Sequence, residues 1–358
     1  MIPFKWILGL MILILFSECL FLAYLTMNKT LRNEQRKNFS NVLHCSVIRQ
    51  RFSVITSASY LSSDFKSFSE NVSELINCPH MSNINQKELY REKLHDCCNA
   101  TGLLYMTKQN TDVNKKIPYE SSAYPSYKMA TSIYNMLPED FSWSGRTLSN
   151  CAVVGSGGIL KNSSCGREID TADYVIRFNM APIYERDVGR KTNLITINPS
   201  QIKRAKFDEK RHGPLLKRLK VYGNASLLMP AFASPQNTRL SISTLKKLWP
   251  LRPELQVVFF SSSYLKDLDS FWRERGLKAK RLSTGFMLIN VALELCDHVH
   301  VYGFWPFDTN LQEQNLSHHY FDNVKPGKRN LHSMPDEFLN LLKLHSQGVL
   351  TLHLQPCW

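Results

Sequence analysis

From Ser149 to the C-terminus, short apolar runs alternate with amphipathic stretches, and this alternation predicts most of the chain's architecture. Strand-like runs stand at Cys151 to Val154, Tyr174 to Phe178, Leu194 to Ile197, Ser226 to Met229, Gln256 to Phe260, His298 to Tyr302 and Val349 to Leu354. Helical spacing marks Tyr264 to Arg275, Thr284 to Cys296 and Pro335 to Ser346. The order predicts an α/β body over residues 141–358, with a mainly parallel sheet flanked by helices.

Trp6 to Met27 is almost wholly apolar and long enough, at ~1.5 Å per residue, to cross the ~30 Å hydrocarbon core as a helix. No small-residue cleavage site follows it, so it reads as a retained signal-anchor behind a five-residue tail, residues 1–5. Glu18 within the span reads as a snorkelled or neutralised carboxyl. Charge does not set the orientation, because Lys5 precedes the span while Lys29, Arg32, Arg36 and Lys37 follow it. The sequons do: Asn28, Asn38, Asn71, Asn99, Asn162, Asn224 and Asn315 all lie beyond the span, and glycan acceptors are used only in the lumen. Residues 28–75, rich in Ser, Asn and charge without a sustained period, read as a stem. Residues 76–140 read as an N-terminal extension followed, from 107, by a polar, Pro-punctuated linker.

The 44 Lys and Arg outweigh the 30 Asp and Glu to give a net charge of +14. An anchor with luminal sequons argues against nucleic acid, and anionic ligands of other kinds suit the same charge. The densest basic run, Lys203 to Lys220, reads as a solvated loop and helix face. Nine cysteines in an oxidising compartment imply disulfides, whose connectivity spacing alone does not fix. Cys19 lies in the span. No Cys-x2-Cys pair has a matching His spacing, so zinc is not indicated.

The chemical signal is densest from Cys151 to Asn179. There an apolar run ends in Gly155-Ser156-Gly157-Gly158, a turn where backbone can approach a ligand. A helix from Ile159 would direct free N–H groups at an anion over the glycines. The second run brings Arg177 and Asn179 to the same kind of strand end, and the two ends are expected to share a crevice. Leu160 stands where a dinucleotide fingerprint needs glycine, and no Gly-Lys-Ser/Thr follows, so neither familiar phosphate loop applies.

This segment resembles the large sialyl motif of the animal sialyltransferases. Arg281 to Cys296 with Val301 to Phe307 resembles their small motif, His319 to Asp322 their motif III, and His332 to Glu337 their very small motif, His-x4-Glu. Cys97-Cys98-Asn99, Asn198-Pro199-Ser200, Met229 to Phe232 and His318 to Asn323 resemble the α-2,8 group, nearest the type VI and GD3-synthase-like branch. The resemblance implies a Rossmann-like, GT-A-like fold variant and a Golgi type II enzyme that takes CMP-sialic acid as donor and a sialylated glycoprotein or glycolipid as acceptor. It implies disulfides Cys151–Cys296 and Cys165–Cys357, and a homodimer is a further expectation. It puts Ser156 and Asn179 on the donor phosphate, with His319 as a further partner. The family usually carries Asn where Ser156 stands, so a weaker or water-relayed phosphate contact is expected.

Ser283, Thr284 and Gly285 suit ribose hydroxyls or a helix cap. Asn198 and Ser200 are similar donor-site candidates. Trp305 either faces the cytosine or fills the core. His332 is the expected general base, with a near-neutral pKa suited to taking an acceptor proton, and Glu337 orients the helix or the ring. Asp267-Leu-Asp269 matches a metal-binding expression, yet at i and i+2 of a helix the two side chains diverge, so it reads as structural and no metal or cofactor is expected. The alternatives are a non-catalytic sialoglycan-binding membrane protein on the same fold, or a sialyltransferase of another linkage.

Overall fold

The structure, a computed structural model, describes residues 40–55 and 65–357 except 122, 147, 205–213 and 325–331, together with scattered positions between 16 and 30. Two compact units are distinguished, residues 1–51 and 52–358. In the first, the described positions are helical, and Phe16, Phe21, Leu22 and Tyr24 are exposed. Among the described residues no helix is long and apolar enough to cross a membrane, and the expected span, 6–27, lies mostly outside them.

The second unit is built on seven parallel strands. They are β1 (Leu148–Val154), β2 (Tyr174–Arg177), β3 (Leu194–Thr196), β4 (Ser226–Met229), β5 (Val257–Phe259), β6 (Cys296–Tyr302) and β7 (Thr351–His353). Every residue of β2 to β5 is buried, because helices cover both faces of a parallel sheet and leave no polar side to alternate with. The sheet order is β5-β4-β3-β2-β1-β6-β7, so the chain winds one way from β1 and then returns to its other side. That reversal opens a crevice at the carboxyl ends of β1 and β6, the position where open α/β sheets bind ligands.

The longer helices are α1 (Phe65–Asn77), α2 (Ile84–Cys97), α3 (Pro235–Leu248), α4 (Ser262–Glu274), α5 (Thr284–Leu295) and α6 (Met334–Ser346). Ser234, Ser261 and Ser283 cap α3, α4 and α5, each accepting a backbone N–H from the first turn. α5 is buried from Phe286 through Glu294, as befits a helix enclosed between the sheet and the N-terminal extension.

Three expectations change here. The last part of the presumed stem, residues 65–75, belongs to α1, which buries Phe68, Val72 and Leu75 on one helical face. The presumed linker is packed: Ile117, Tyr119, Met129, Ile133 and Leu137 join a core cluster with Leu219, Phe232, Leu245 and Leu248. Its apolar residues are too widely spaced to show a period, so their burial is decided by what they meet. The helix expected from Ile159 is only a 3-10 turn, Gly158–Leu160.

Cys151–Cys296 and Cys165–Cys357 are both bonded as the resemblance implied, and Cys97 is joined to Cys98. Cys45 and Cys78 are also in disulfides.

Candidate active site

The bend after β1 is held against the bend after β6. Gly155 N–H donates to Tyr302 O at 2.8 Å and Gly157 N–H to Gly303 O at 3.0 Å. A Cβ on Gly155 or Gly157 would lie 2.5 or 2.6 Å from Gly303 O, and one on Gly158 2.0 Å from Ser317 O, all backbone atoms that have nowhere to go. The glycines are therefore required by contact between three chain segments.

The third segment carries His319. Gly157 and His319 form an antiparallel bridge, and Tyr320 N–H donates to Ser156 O at 3.1 Å, so the histidine is fixed to the glycine bend through backbone. Its Nδ1 lies 2.6 Å from Asp322 Oδ2, and its ring stacks on Phe321 at 4.9 Å. A carboxylate accepts only, so Nδ1 carries the proton and Nε2 is left for a ligand. Burial raises the Asp322 pKa, but hydrogen bonds from the His319 side chain and the Val324 N–H outweigh it and hold the carboxyl below its ordinary value. Asp322 was quoted in the sequence motif without a role; only the fold shows that it orients the ring.

Asn179 ends β2 in the left-handed region, φ 54°, and Met180 follows at φ 50°. Non-glycine residues tolerate this only where the surroundings hold them. Arg218 supplies the hold, donating to the carbonyls of both. The Asn179 amide oxygen accepts Asn198 N–H at 3.1 Å, joining two of the candidate positions, while its Nδ2 donates to nothing among the described residues. Ser200 is exposed on the short helix Pro199–Arg204. Arg177 points away: buried, it donates to Lys191 O and Thr192 Oγ1 and braces the sheet.

At the start of α5, Ser283 N–H donates to Glu337 Oε1 at 2.6 Å, and His332 Nδ1 lies 2.8 Å from Arg281 O. Both ends of His-x4-Glu thus grip residues 281–283. Because a carbonyl only accepts, His332 carries a proton on Nδ1. Burial pushes the Glu337 carboxyl up to about 7.

Phe304 is the residue that draws these parts together, and sequence reasoning missed it. Its ring lies 3.1 Å from where a Gly155 Cβ would be and 2.5 Å from where a Gly285 Cβ would be, and it meets Phe178 edge-on at 6.0 Å. One ring therefore touches the bend, the start of α5 and the residue before Asn179. Thr284 is the first residue of α5. Trp305 takes the core option: 6% exposed, it packs edge-on against Phe307 and Phe338, and its Nε1–H donates to Thr309 O.

Asp267 and Asp269 lie on α4, where Asp269 accepts from Arg273 one turn on. Among the described residues, Glu168, His300 and His353 bring ligating atoms within 4.8 Å of one another. These atoms are committed to each other and to Tyr302, whose hydroxyl donates to Glu168 at 2.7 Å. Of the sequons, Asn162, Asn224 and Asn315 are exposed, and Asn71 and Asn99 half-buried, while Asn28 and Asn38 lie outside the described residues.

Glycosyltransferase family 29 (sialyltransferase) matches residues 105–349. Alpha-2,8-sialyltransferase 8E of Homo sapiens is 42% identical over 284 residues, which cover 78% of this chain and 75% of that protein. Alpha-N-acetylneuraminide alpha-2,8-sialyltransferase of Bos taurus is 41% identical over 274 residues, 75% of this chain and 76% of that one. The crystal structure of a mammalian sialyltransferase in complex with Gal-beta-1-3GalNAc-ortho-nitrophenol shares the fold, with a TM-score of 0.51 at 18% identity over 78% of this chain and 99% of that chain. With its glycine bend, its two oriented imidazoles and its parallel sheet, the chain belongs to glycosyltransferase family 29, the sialyltransferases.

Proposed function

We propose that this enzyme transfers sialic acid from CMP-sialic acid to O8 of a sialic acid that ends a glycoprotein or glycolipid glycan. The observation that carries the reading is the pair of histidines whose Nδ1 atoms are tied, one to Asp322 and one to the Arg281 carbonyl, on elements that meet around Phe304. His332 Nε2 takes the O8 proton as O8 attacks C2 of the donor sugar. The bond from C2 to the phosphate oxygen breaks, the pair of electrons leaves with CMP, and configuration at C2 inverts. Charge gathering on the phosphate is met by His319, Asn179 and Ser156. A single departing phosphate develops less charge than a diphosphate, so these donors suffice without a metal ion. The α-2,8 linkage is supported by the names of the relatives. Residues 6–27 anchor the enzyme in the Golgi membrane with the catalytic part in the lumen.

Incubating the full-length chain with CMP-sialic acid and a panel of sialylated acceptors, followed by linkage analysis, tests this directly. CMP release with a new α-2,8 bond is expected. Binding of sialylated glycans without CMP release would instead establish a lectin-like module.

A further inference from the structure

One groove lies outside the donor crevice. It has a volume of about 620 Å³ and runs between α3 and the segment that carries Tyr119 and Tyr127. From α3 it is lined by Arg239, Ile242, Lys246 and Lys247. No carboxylate lines it, so its only formal charges are cationic.

Two features make this more than a basic helix face. The aromatic wall is rigid: Tyr119 is 8% exposed and its hydroxyl meets Thr238 Oγ1 at 3.3 Å, while Tyr127 packs on Phe232 with ring centres 5.5 Å apart. The cations also exceed what the helix needs. Lys246 and Lys247 stand in the last turn, where they complement the helix dipole, but Arg239 sits in the first half of α3, where a cation gains nothing from it. Flat aromatic surface beside cations is the chemistry that receives sugar rings bearing carboxylates.

The groove and the candidate base share their support. Tyr119 is followed by Glu120, whose N–H donates to Phe232 O at 3.1 Å and whose carboxylate pairs with Arg281 at 2.9 Å. Arg281 is the residue whose carbonyl holds His332 Nδ1. α3 itself begins just past the carboxyl end of β4. Its first turn therefore lies at the same edge of the sheet as the donor crevice, three strand spacings of ~4.8 Å or ~14 Å along the sheet, with Arg239 and Lys246 roughly 6 and 16 Å further down the helix axis at ~1.5 Å per residue. An oligosaccharide of a few sugars spans that interval.

We infer that this groove is a second acceptor subsite, which takes the part of an anionic glycan lying behind the reacting sugar and binds a further sialic acid carboxylate through Arg239 and Lys246. The inference rests on the sialyltransferase reading above. It adds a preference: acceptors that carry a second negative charge away from the reacting end bind more tightly.

The test compares two oligosaccharide acceptors with the same terminal sialic acid, one neutral behind it and one bearing a further sialic acid. The full-length enzyme is assayed as wild type, as Arg239→Glu with Lys246→Glu, and as the charge-keeping Arg239→Lys with Lys246→Arg. Two lost exposed ion pairs and the new repulsion are expected to raise KM for the doubly charged acceptor about three- to tenfold. KM for CMP-sialic acid, kcat and KM for the singly charged acceptor should stay at wild-type values, and the charge-keeping variant should behave as wild type. An unchanged KM for the doubly charged acceptor in the Glu variant would overturn the subsite while leaving the enzyme assignment intact. Failure of the wild type to release CMP with either acceptor would remove that assignment, and the subsite with it.

Discussion

Two histidines differ in what holds their Nδ1 atoms. His332 faces a carbonyl, which fixes the tautomer without lending charge, and this suits a base that must begin neutral. His319 faces a carboxylate held below its ordinary pKa by that contact, which fixes the orientation of the ring proposed to meet the donor phosphate. His332→Ala should lower kcat by roughly 10² to 10⁴ with donor KM near wild type, measured by CMP release. A variant that keeps near-normal turnover would remove the base assignment. Ser156 has a short side chain where the resemblance leads one to expect an amide, while its carbonyl is bound by Tyr320 N–H. Ser156→Asn should therefore improve donor KM or kcat, and no gain in either counts against a direct phosphate contact at this position.

Between elements, the glycine bend and the turn at Asn99, which sits at φ 53° before the short helix Ala100–Leu103, make opposite demands. The bend needs the absence of side chains. In Gly158→Ala a methyl would meet Ser317 O, displacing the strand-like segment that positions His319. A loss of roughly 1–3 kcal/mol in stability and a fall in kcat larger than the change in donor KM are expected, by thermal melting and kinetics. The turn needs a carboxyl: Glu294, at 6% exposure near the end of α5, accepts Ala100 N–H at 2.9 Å, while its other oxygen has no hydrogen-bond partner. Burial raises its pKa to about 7. A carboxyl raised on folding adds stability below its unfolded pKa of ~4.3 and loses it as pH climbs through the folded value. Over pH 5 to 8 the wild type should lose up to ~3 kcal/mol relative to Glu294→Gln, visible as a falling difference in Tm. A pH-independent difference would show that Glu294 does not titrate in this range.

For the molecule as a whole, two disulfides span long stretches of chain. Cys151–Cys296 closes 145 residues across the neighbouring strands β1 and β6, and Cys165–Cys357 closes 192 and returns the C-terminus to the segment after the glycine bend. Entropy of loop closure assigns each ~5 kcal/mol, and losing a native bridge costs ~2–5 kcal/mol in practice. Cys165→Ser with Cys357→Ser should lower Tm without altering the inhibition constant of CMP. If CMP inhibition weakened in step with Tm, that bridge would be shaping the site as well as the stability.

The residue pattern alone determined the body: all seven strands lie where short apolar runs stand, because a parallel sheet covered on both faces requires such runs. It also marked the glycine bend, while the paired residues of His-x4-Glu and Asn179 were singled out by the resemblance to the sialyl motifs. Three-dimensional contact decided the rest. Asp322 and Arg281 carry no local mark as partners of histidines, and Phe304 looked like one more apolar residue until it was found touching three segments far apart in sequence. α1, α3 and the packed residues 107–140 were passed over for a similar reason, as their apolar positions are sparse and gain meaning only from the surface they meet. Local spacing records what an element must bury; which element it is buried against, and which polar atoms are thereby aligned, is settled only when the chain closes on itself.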